Sequence, residues 1–511
     1  MPKIRAVLFA AILIVSSLPA IASAGPESCD TRANNTVDKL LECVTLDGVR
    51  GHQAAFQAAA DANGGTRAAG TPGYDASVAY VADTLVAAGY DVELHPFEFT
   101  FVPPAALIQL APINETYETG AFTGSGSGEV SGQVIPVDLA LGTSDWPADP
   151  STSTSACEAG DFAGLDFSGP NDIALIQRGA CFFSVKAVNA EAAGAEAVII
   201  FNQGNSPTRM GLITGNASAL PDGSPSNLTI PVVGASFAQG GALSSFGSLA
   251  YVKVEPNEVR IDHNVIAELP GKNHDNVVMA GAHLDSVPAG PGVQDNGSGS
   301  AAILEAAVQM AKVKPHNTVR FAWWGGEELG LVGSTAYVNG LSEEDVDDIA
   351  LYLNFDMIGS PNHVFFIYDG DDSDGVGAGA GPEGSAQIEE FYEDFYSARD
   401  IPFKGTDFSG RSDYGPFIAV GIPAGGLFTG AEGVKTAEEA EIWGGTAGDQ
   451  YDPCYHLACD TIDNINLGAF DVNSDAVAAS VLSFGMNTEI VNGVKGKGNF
   501  KVQTQDFGPT S

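Results

Sequence analysis

Five apolar runs in the second half of the chain, NVVMAGA, TVRFAWW, ALYLNFDM, HVFFIYD and IPAGGLF, constrain the fold more than any other feature. Each is bounded by Gly, Pro or Asp, and each is close to continuously apolar. Strands of that composition need cover on both faces, the condition of a largely parallel sheet flanked by helices. Between the first two, SAAILEAAVQMAKV sets Leu304, Ala307, Val308 and Ala311 on one helical face. The expected architecture is α/β, with a mostly parallel central sheet flanked by helices.

The start of the chain carries Lys3 and Arg5, an apolar run from Ala6 to Val15, and Ala22, Ser23 and Ala24 as a cleavage pattern. That reads as a secretory signal over residues 1–24. The run is shorter than the roughly 20 residues a spanning helix needs. No later stretch is long and apolar enough to span, so the expected product is secreted or extracellular, a periplasm or vacuole-like lumen included, with no membrane insertion after signal removal. All six cysteines lie beyond the signal, as in disulfides of an oxidising compartment. Their grouping suggests Cys29 with Cys43, Cys157 with Cys181, and Cys454 with Cys459, other pairings staying open. The net charge of −42 is spread along the chain. It argues against nucleic acid or an anionic membrane as partner and suits a heavily solvated surface in salty surroundings. Oligomeric state leaves no mark.

Four segments are expected in the mature chain: 25–105, 106–255, 256–490 and a tail at 491–511. In the first, Val78, Val81, Leu85 and Ala88 form a helical stripe, and DVELHPFEF alternates like an edge strand. The second is rich in Gly, Ser, Pro and Thr and broken into short β-like runs such as GQVIPVDL and LTIPVVGAS. Within it, DIALIQRGACFFSVKAVNAEAAGAEAVIIFNQGN reads as strand, turn, helix, strand. This stretch resembles the core of the protease-associated domain, a small β-rich module inserted into exported peptidases. The tail lacks periodicity.

In an open α/β sheet, ligands bind beyond the carboxyl ends of the strands. NVVMAGA is followed by His283 and Asp285, TVRFAWW by Gly325, Gly326, Glu327 and Glu328, and ALYLNF by Asp356. One polar residue at a strand end is ordinary solvation. Three consecutive strands ending in imidazole or carboxylate point to a common centre. Imidazole and carboxylates without thiolate suit hydrolytic zinc with a position open to water. Two cations in one site need a bridging carboxylate, and Asp295, in GVQDNGSG just before a helix, is well placed for it. Adjacent Glu327 and Glu328 diverge, so one can bind metal while the other handles protons; capping of the following helix is the plain alternative. His456 sits inside the short Cys454–Cys459 span, and Tyr455 beside it offers a phenol to an oxyanion.

Together GAHLDSVPAGPGVQDNGSG, WWGGEELGLVGS, NFDMIGS, SGRSDYGPF and DPCYHLACDTIDNIN resemble the exported dizinc aminopeptidases, which include bacterial leucine aminopeptidases and aminopeptidase Y. The resemblance implies the zinc-peptidase fold with an inserted protease-associated domain, and two Zn²⁺ per chain. It implies His283 and Asp356 on one zinc, Glu328 and His456 on the other, and Asp295 between them. Glu327 would be the general base, Asp285 a partner orienting His283, and Tyr455 an oxyanion donor. Arg411 and Asp413 would line the substrate pocket. The implied reaction removes N-terminal residues from peptides or proteins, apolar ones preferred. Carboxypeptidase-like and glutaminyl cyclase relatives, or a non-catalytic receptor on the same fold, are the alternatives. His52, His95, His263, His274, His316 and His363 are read as surface or structural.

Overall fold

The computed structural model describes residues 28–497 apart from 30, 142–152 and 378. The expected signal at 1–24 and most of the expected tail, 498–511, lie outside the described residues. The chain divides into two compact units, residues 100–260 and the remainder on either side of them.

The flanking unit is built on an eight-stranded sheet in the order Asp91–Phe101, Glu258–Leu269, Asn317–Trp324, Asn273–His283, Ile349–Phe355, Ala424–Phe428, Phe366–Tyr368, Lys404–Thr406. Asp91–Phe101 lies at an edge, as its alternation suggests. The four strands from Asn317–Trp324 to Ala424–Phe428 pair in parallel. Glu258–Leu269 runs antiparallel to Asn317–Trp324, and Phe366–Tyr368 antiparallel to Ala424–Phe428. Every residue of Ile349–Phe355 is buried, the two-sided cover its apolar run demanded. HVFFIYD contributes only Phe366–Tyr368 to the ladder.

Helix Gly297–Met310 is buried almost all round rather than along the single stripe expected; Val308, on that stripe, is among its least buried residues. It packs on the central strand and against helices Leu46–Ala62, Pro72–Ala88 and Leu467–Met486. Small residues allow this: a Cβ at Gly299 would collide with the carbonyl oxygen of Phe355. The first turn of the helix therefore sits directly against the end of strand Ile349–Phe355.

The inserted unit holds a seven-stranded sheet, in which Gly128–Val137, Ile173–Gln177, Ala197–Phe201 and Val232–Ala235 pair in parallel. Helix Phe183–Ala193 connects two of these strands. Cys157–Cys181 lies in this unit, and Cys29–Cys43 and Cys454–Cys459 in the other, so all six cysteines are paired locally.

Candidate metal centre

Three parallel strands bring their carboxyl ends together. His283 closes Asn273–His283 and pairs with Trp324, the last residue of the next strand, while Gly281 pairs with Asn354 on the other side. Asp285, Glu327, Glu328 and Asp356 follow within a few residues. Asn296 joins two of these turns. Its amide donates to the carbonyl of Phe355 at 2.8 Å, and its oxygen accepts the N–H groups of Met357 at 3.1 Å and Gly299 at 2.9 Å. Asp295 and Asp356 are thereby fixed relative to each other.

The side chains meet in two groups that share Asp295. His283 Nε2 lies 3.2 Å from Asp295 Oδ1 and 3.3 Å from Asp356 Oδ1. His456 Nε2 lies 3.2 Å from Asp295 Oδ2 and 3.1 Å from Glu328 Oε2. Ligand atoms on a tetrahedral zinc, bonded at about 2.0–2.1 Å, sit roughly 3.3–3.4 Å apart. The imidazole–carboxylate spacings come close to such an edge in both groups, which share the Asp295 carboxylate. Two buried oxygens here, Asp356 Oδ1 and Glu328 Oε1, have no hydrogen-bond donor, which is costly unless a cation satisfies them. The donor set is imidazole and carboxylate without thiolate, so the residues fit zinc.

Local contacts orient each ligand. His283 Nδ1 lies 3.1 Å from the carbonyl oxygen of Asp285, leaving Nε2 for a metal. The Asp285 carboxylate is 3.7 Å from that ring nitrogen. It instead accepts the N–H groups of Glu327 at 3.2 Å and Glu328 at 3.4 Å. Asp285 thus addresses His283 through its backbone and the glutamate pair through its side chain. Asp356 Oδ2 accepts a 2.6 Å hydrogen bond from Ser412, leaving Oδ1 to the centre. His456 adopts a left-handed backbone, φ +57°, within the loop closed by Cys454–Cys459.

The electrostatics favour bound cations. Burial opposes charge on His283, but Asp356 and Glu327 raise its pKa well above the usual value. His456, also opposed by burial, is raised to about 10 by Asp295 and Glu328. Burial pushes Glu328 up to about 7, with Asp295 adding to it, and lifts Glu327 well above the carboxylate range. A place that draws protons this strongly draws divalent cations for the same reason.

A cavity of about 370 Å³ opens on the centre. Asp295, Glu327, Asp356 and His456 line one side; Met357, Phe366, Tyr368, Phe428 and Tyr451 form an apolar wall. Glu327 belongs to neither ligand group yet faces the cavity, whereas Glu328 is a member of the His456 group. Tyr455 lines the cavity too, stacked on His456 with ring centroids 3.8 Å apart. Its oxygen is 3.2 Å from Arg411 Nη2. Asp413, expected beside Arg411 in the pocket, lies behind the wall. It is 1% exposed, its Oδ1 accepts from Ser334 at 2.6 Å, and burial raises its pKa to about 7.

Comparison with known proteins identifies the family. The profile of peptidase family M28 matches residues 264–481, and that of the PA domain matches residues 130–243. An aminopeptidase of Pseudomonas aeruginosa is 49% identical over 443 residues, 85% of this chain and 80% of that one. The chain belongs to peptidase family M28. A probable lipoprotein aminopeptidase of Mycobacterium tuberculosis, LpqL, is 41% identical, covering 88% of this chain and 87% of its own. Among solved structures, a zinc aminopeptidase from Bacillus subtilis superposes with a TM-score of 0.56 at 26% identity, covering 86% of this chain and 94% of that one. The insertion in this M28 peptidase is a PA domain.

Sequence reasoning passed over Ser412, Asn296, Arg67 and Asp460. Asn296 and Ser412 lie inside motifs that were read for other residues. Buried Arg67 carries no signal of its own, because its partners are backbone carbonyls. The six remaining histidines join neither ligand group. His52, for example, is buried with Nδ1 2.7 Å from Tyr80 Oη and Nε2 3.1 Å from Glu305.

Proposed function

We propose that this zinc-dependent aminopeptidase removes single N-terminal residues from peptides and proteins, prefers apolar ones, and holds two zinc ions bridged by Asp295. The observation that carries the reading is the pair of ligand groups sharing Asp295 at the floor of a cavity with an apolar wall. His283 and Asp356 would hold one ion, Glu328 and His456 the other. Zinc bound there supplies Lewis acidity toward the scissile carbonyl and activates water for attack. Glu327, half-buried and facing the cavity outside both ligand groups, accepts a proton from the attacking water and delivers it to the leaving amine. Tyr455 donates to the developing oxyanion; an arginine cannot accept, so the Tyr455 oxygen takes its hydrogen bond from Arg411 and keeps its own proton free for substrate.

Selection for a free N-terminus follows from charge. Glu327 offers a carboxylate to the substrate ammonium, while Asp356 Oδ2 is occupied by Ser412. The two cations that a carboxypeptidase would use are both engaged: Lys404 lies 2.8 Å from Glu439 and Arg411 2.7 Å from Glu432. The complete ligand set speaks against a glutaminyl cyclase or a receptor that has lost turnover. Tyr451 spends its hydroxyl on Glu439 at 2.8 Å, which leaves an aromatic surface for an apolar side chain. The leader at 1–24 and the disulfides support secretion; no described helix is long and apolar enough to cross a membrane. The test is zinc content together with hydrolysis of a leucyl chromogenic amide beside its N-acetylated form. Two zinc ions and cleavage of the free amine alone are expected. Cleavage of both substrates, or of neither by the zinc-loaded enzyme, would overturn the reading.

A further inference from the structure

Asp460 lies four residues beyond His456, just past the Cys454–Cys459 disulfide, and is 2% exposed. It contributes nothing to the cavity wall. Its carboxylate instead grips the backbone that carries Asp295: Oδ1 accepts the N–H of Gln294 at 2.9 Å and Oδ2 that of Asp295 at 3.0 Å. Its own carbonyl accepts the N–H of Val293 at 3.1 Å. Three successive amides thus end on one residue. On its other side, Oδ1 accepts from Asn464 at 3.1 Å; Asn464 also donates to Asp452 Oδ1 at 2.9 Å, and that oxygen accepts the N–H of Cys454 at 2.8 Å. A hydrogen-bonded chain therefore runs from the disulfide loop holding His456 to the turn holding Asp295.

The same turn is pinned from the opposite direction. Arg67 is fully buried; Nε donates to the carbonyl of Pro291 at 2.8 Å, and Nη1 and Nη2 donate to those of Leu284 and Gly292. Gln53 donates to the carbonyl of Val293 at 3.1 Å. Carbonyls before Asp295 are held by Gln53, on helix Leu46–Ala62, and by Arg67, in the loop after that helix, and the amides around it are held by Asp460. The bridging role makes this useful. One carboxylate serving two ions about 3.5–4 Å apart must aim both oxygens at once, and a drift of roughly 0.5 Å degrades such a site. Here the two oxygens are each 3.2 Å from their imidazole nitrogens.

We propose that Asp460 is a positioning residue that presents the Asp295 carboxylate to both metal ions, coupling the His456 loop to the rest of the centre. This rests on the reading of Asp295 as the bridge. The test is Asp460→Asn, which keeps the shape but sets an amide N–H₂ against a backbone N–H. Zinc is titrated against a competing chelator, kcat and KM are measured on the leucyl amide, and the thermal midpoint of the metal-free protein is recorded. Both zinc-binding steps are expected to weaken roughly 10–100-fold. A fall in kcat of at least about tenfold should accompany them, with KM close to wild type and only a modest drop in the metal-free midpoint from the opposed N–H groups. Asn464→Ala, which removes one support of Asp460, gives a smaller change in the same direction and serves if Asp460→Asn does not fold. Zinc affinities equal to wild type, loss confined to one step, or a large drop in the metal-free midpoint with KM rising in step would each overturn the proposal. A wild-type protein that takes up only one zinc would sink the bridging reading itself. Two zinc ions in wild type with unaltered affinity in the variants would sink the Asp460 proposal alone.

Discussion

Glu327 and Glu328 are neighbours of the same residue type with opposite assignments, and the environment separates them. Glu328 Oε2 is 3.1 Å from His456 and belongs to a ligand group, while Glu327 faces the cavity outside both groups. Glu327→Gln keeps the size and removes the basicity. It should retain zinc while kcat falls roughly 10²–10⁴-fold, the usual range for losing a general base, and KM rises because the substrate ammonium loses its counter-charge. Glu328→Gln should instead lose zinc. Measuring metal content beside kcat separates the two, and a Glu327→Gln enzyme with near-native turnover would remove Glu327 from the mechanism.

Among the elements, the short loop from Cys454 to Cys459 carries the strained ligand. His456 holds φ +57°, a region that disfavours a side chain, so the cross-link restricts the loop to a conformation it would otherwise leave. In a chain-entropy treatment, closing so short a loop contributes about 2 kcal/mol. Replacing both cysteines by serine should weaken the zinc step that uses His456 more than the step that uses His283, readable in the same chelator titration. Equal weakening of both steps would contradict it. Helix Ala437–Trp443 makes a second, pH-dependent case. Its third residue, Glu439, completes a capping box with Thr436, accepting at 2.9 Å, and also receives Lys404 and Tyr451. Burial works against the charge, but Lys404, Thr436 and Tyr451 hold the carboxyl down to about 2. A depressed carboxylate contributes stability above its unfolded pKa of about 4.3 and loses it as pH falls toward 2. Glu439→Gln should therefore lower the thermal midpoint at neutral pH and flatten its decline between about pH 4.5 and 2. A slope unchanged from wild type would show that the contacts confer no such linkage. The elements also mark what the sequence disclosed. Strand ends at His283, Glu327 and Asp356 were legible because a buried parallel strand is apolar until it stops, so the first polar residues stand out. Asp460 was not, because its partners are backbone amides 165 and 166 residues away, and an amide has no letter of its own.

For the whole molecule, both units contain parallel strands buried on both faces, such as Ile349–Phe355 in one and Ala197–Phe201 in the other. Net charge belongs to the molecule as a whole. Sixty-four Asp and Glu stand against twenty-two Lys and Arg, and several carboxylates are concentrated around the centre. Zinc bound there would offset part of that local charge, so the surface supplies most of the remaining self-repulsion. Repulsion of this kind destabilises a compact state and is screened over about 10 Å at 0.1 M salt but about 3 Å at 1 M. Raising sodium chloride from 0.1 to 1 M should therefore raise the thermal midpoint of the zinc-loaded protein. A neutral osmolyte gives the baseline for effects unrelated to charge. The same screening should reduce kcat/KM for peptides bearing several positive charges more than for a leucyl amide, since long-range attraction raises encounter rates only while charges remain unscreened. A midpoint that falls with salt, or equal salt sensitivity for both substrates, would mean that the surface acidity is held too far from the cavity and too well hydrated to govern either stability or encounter.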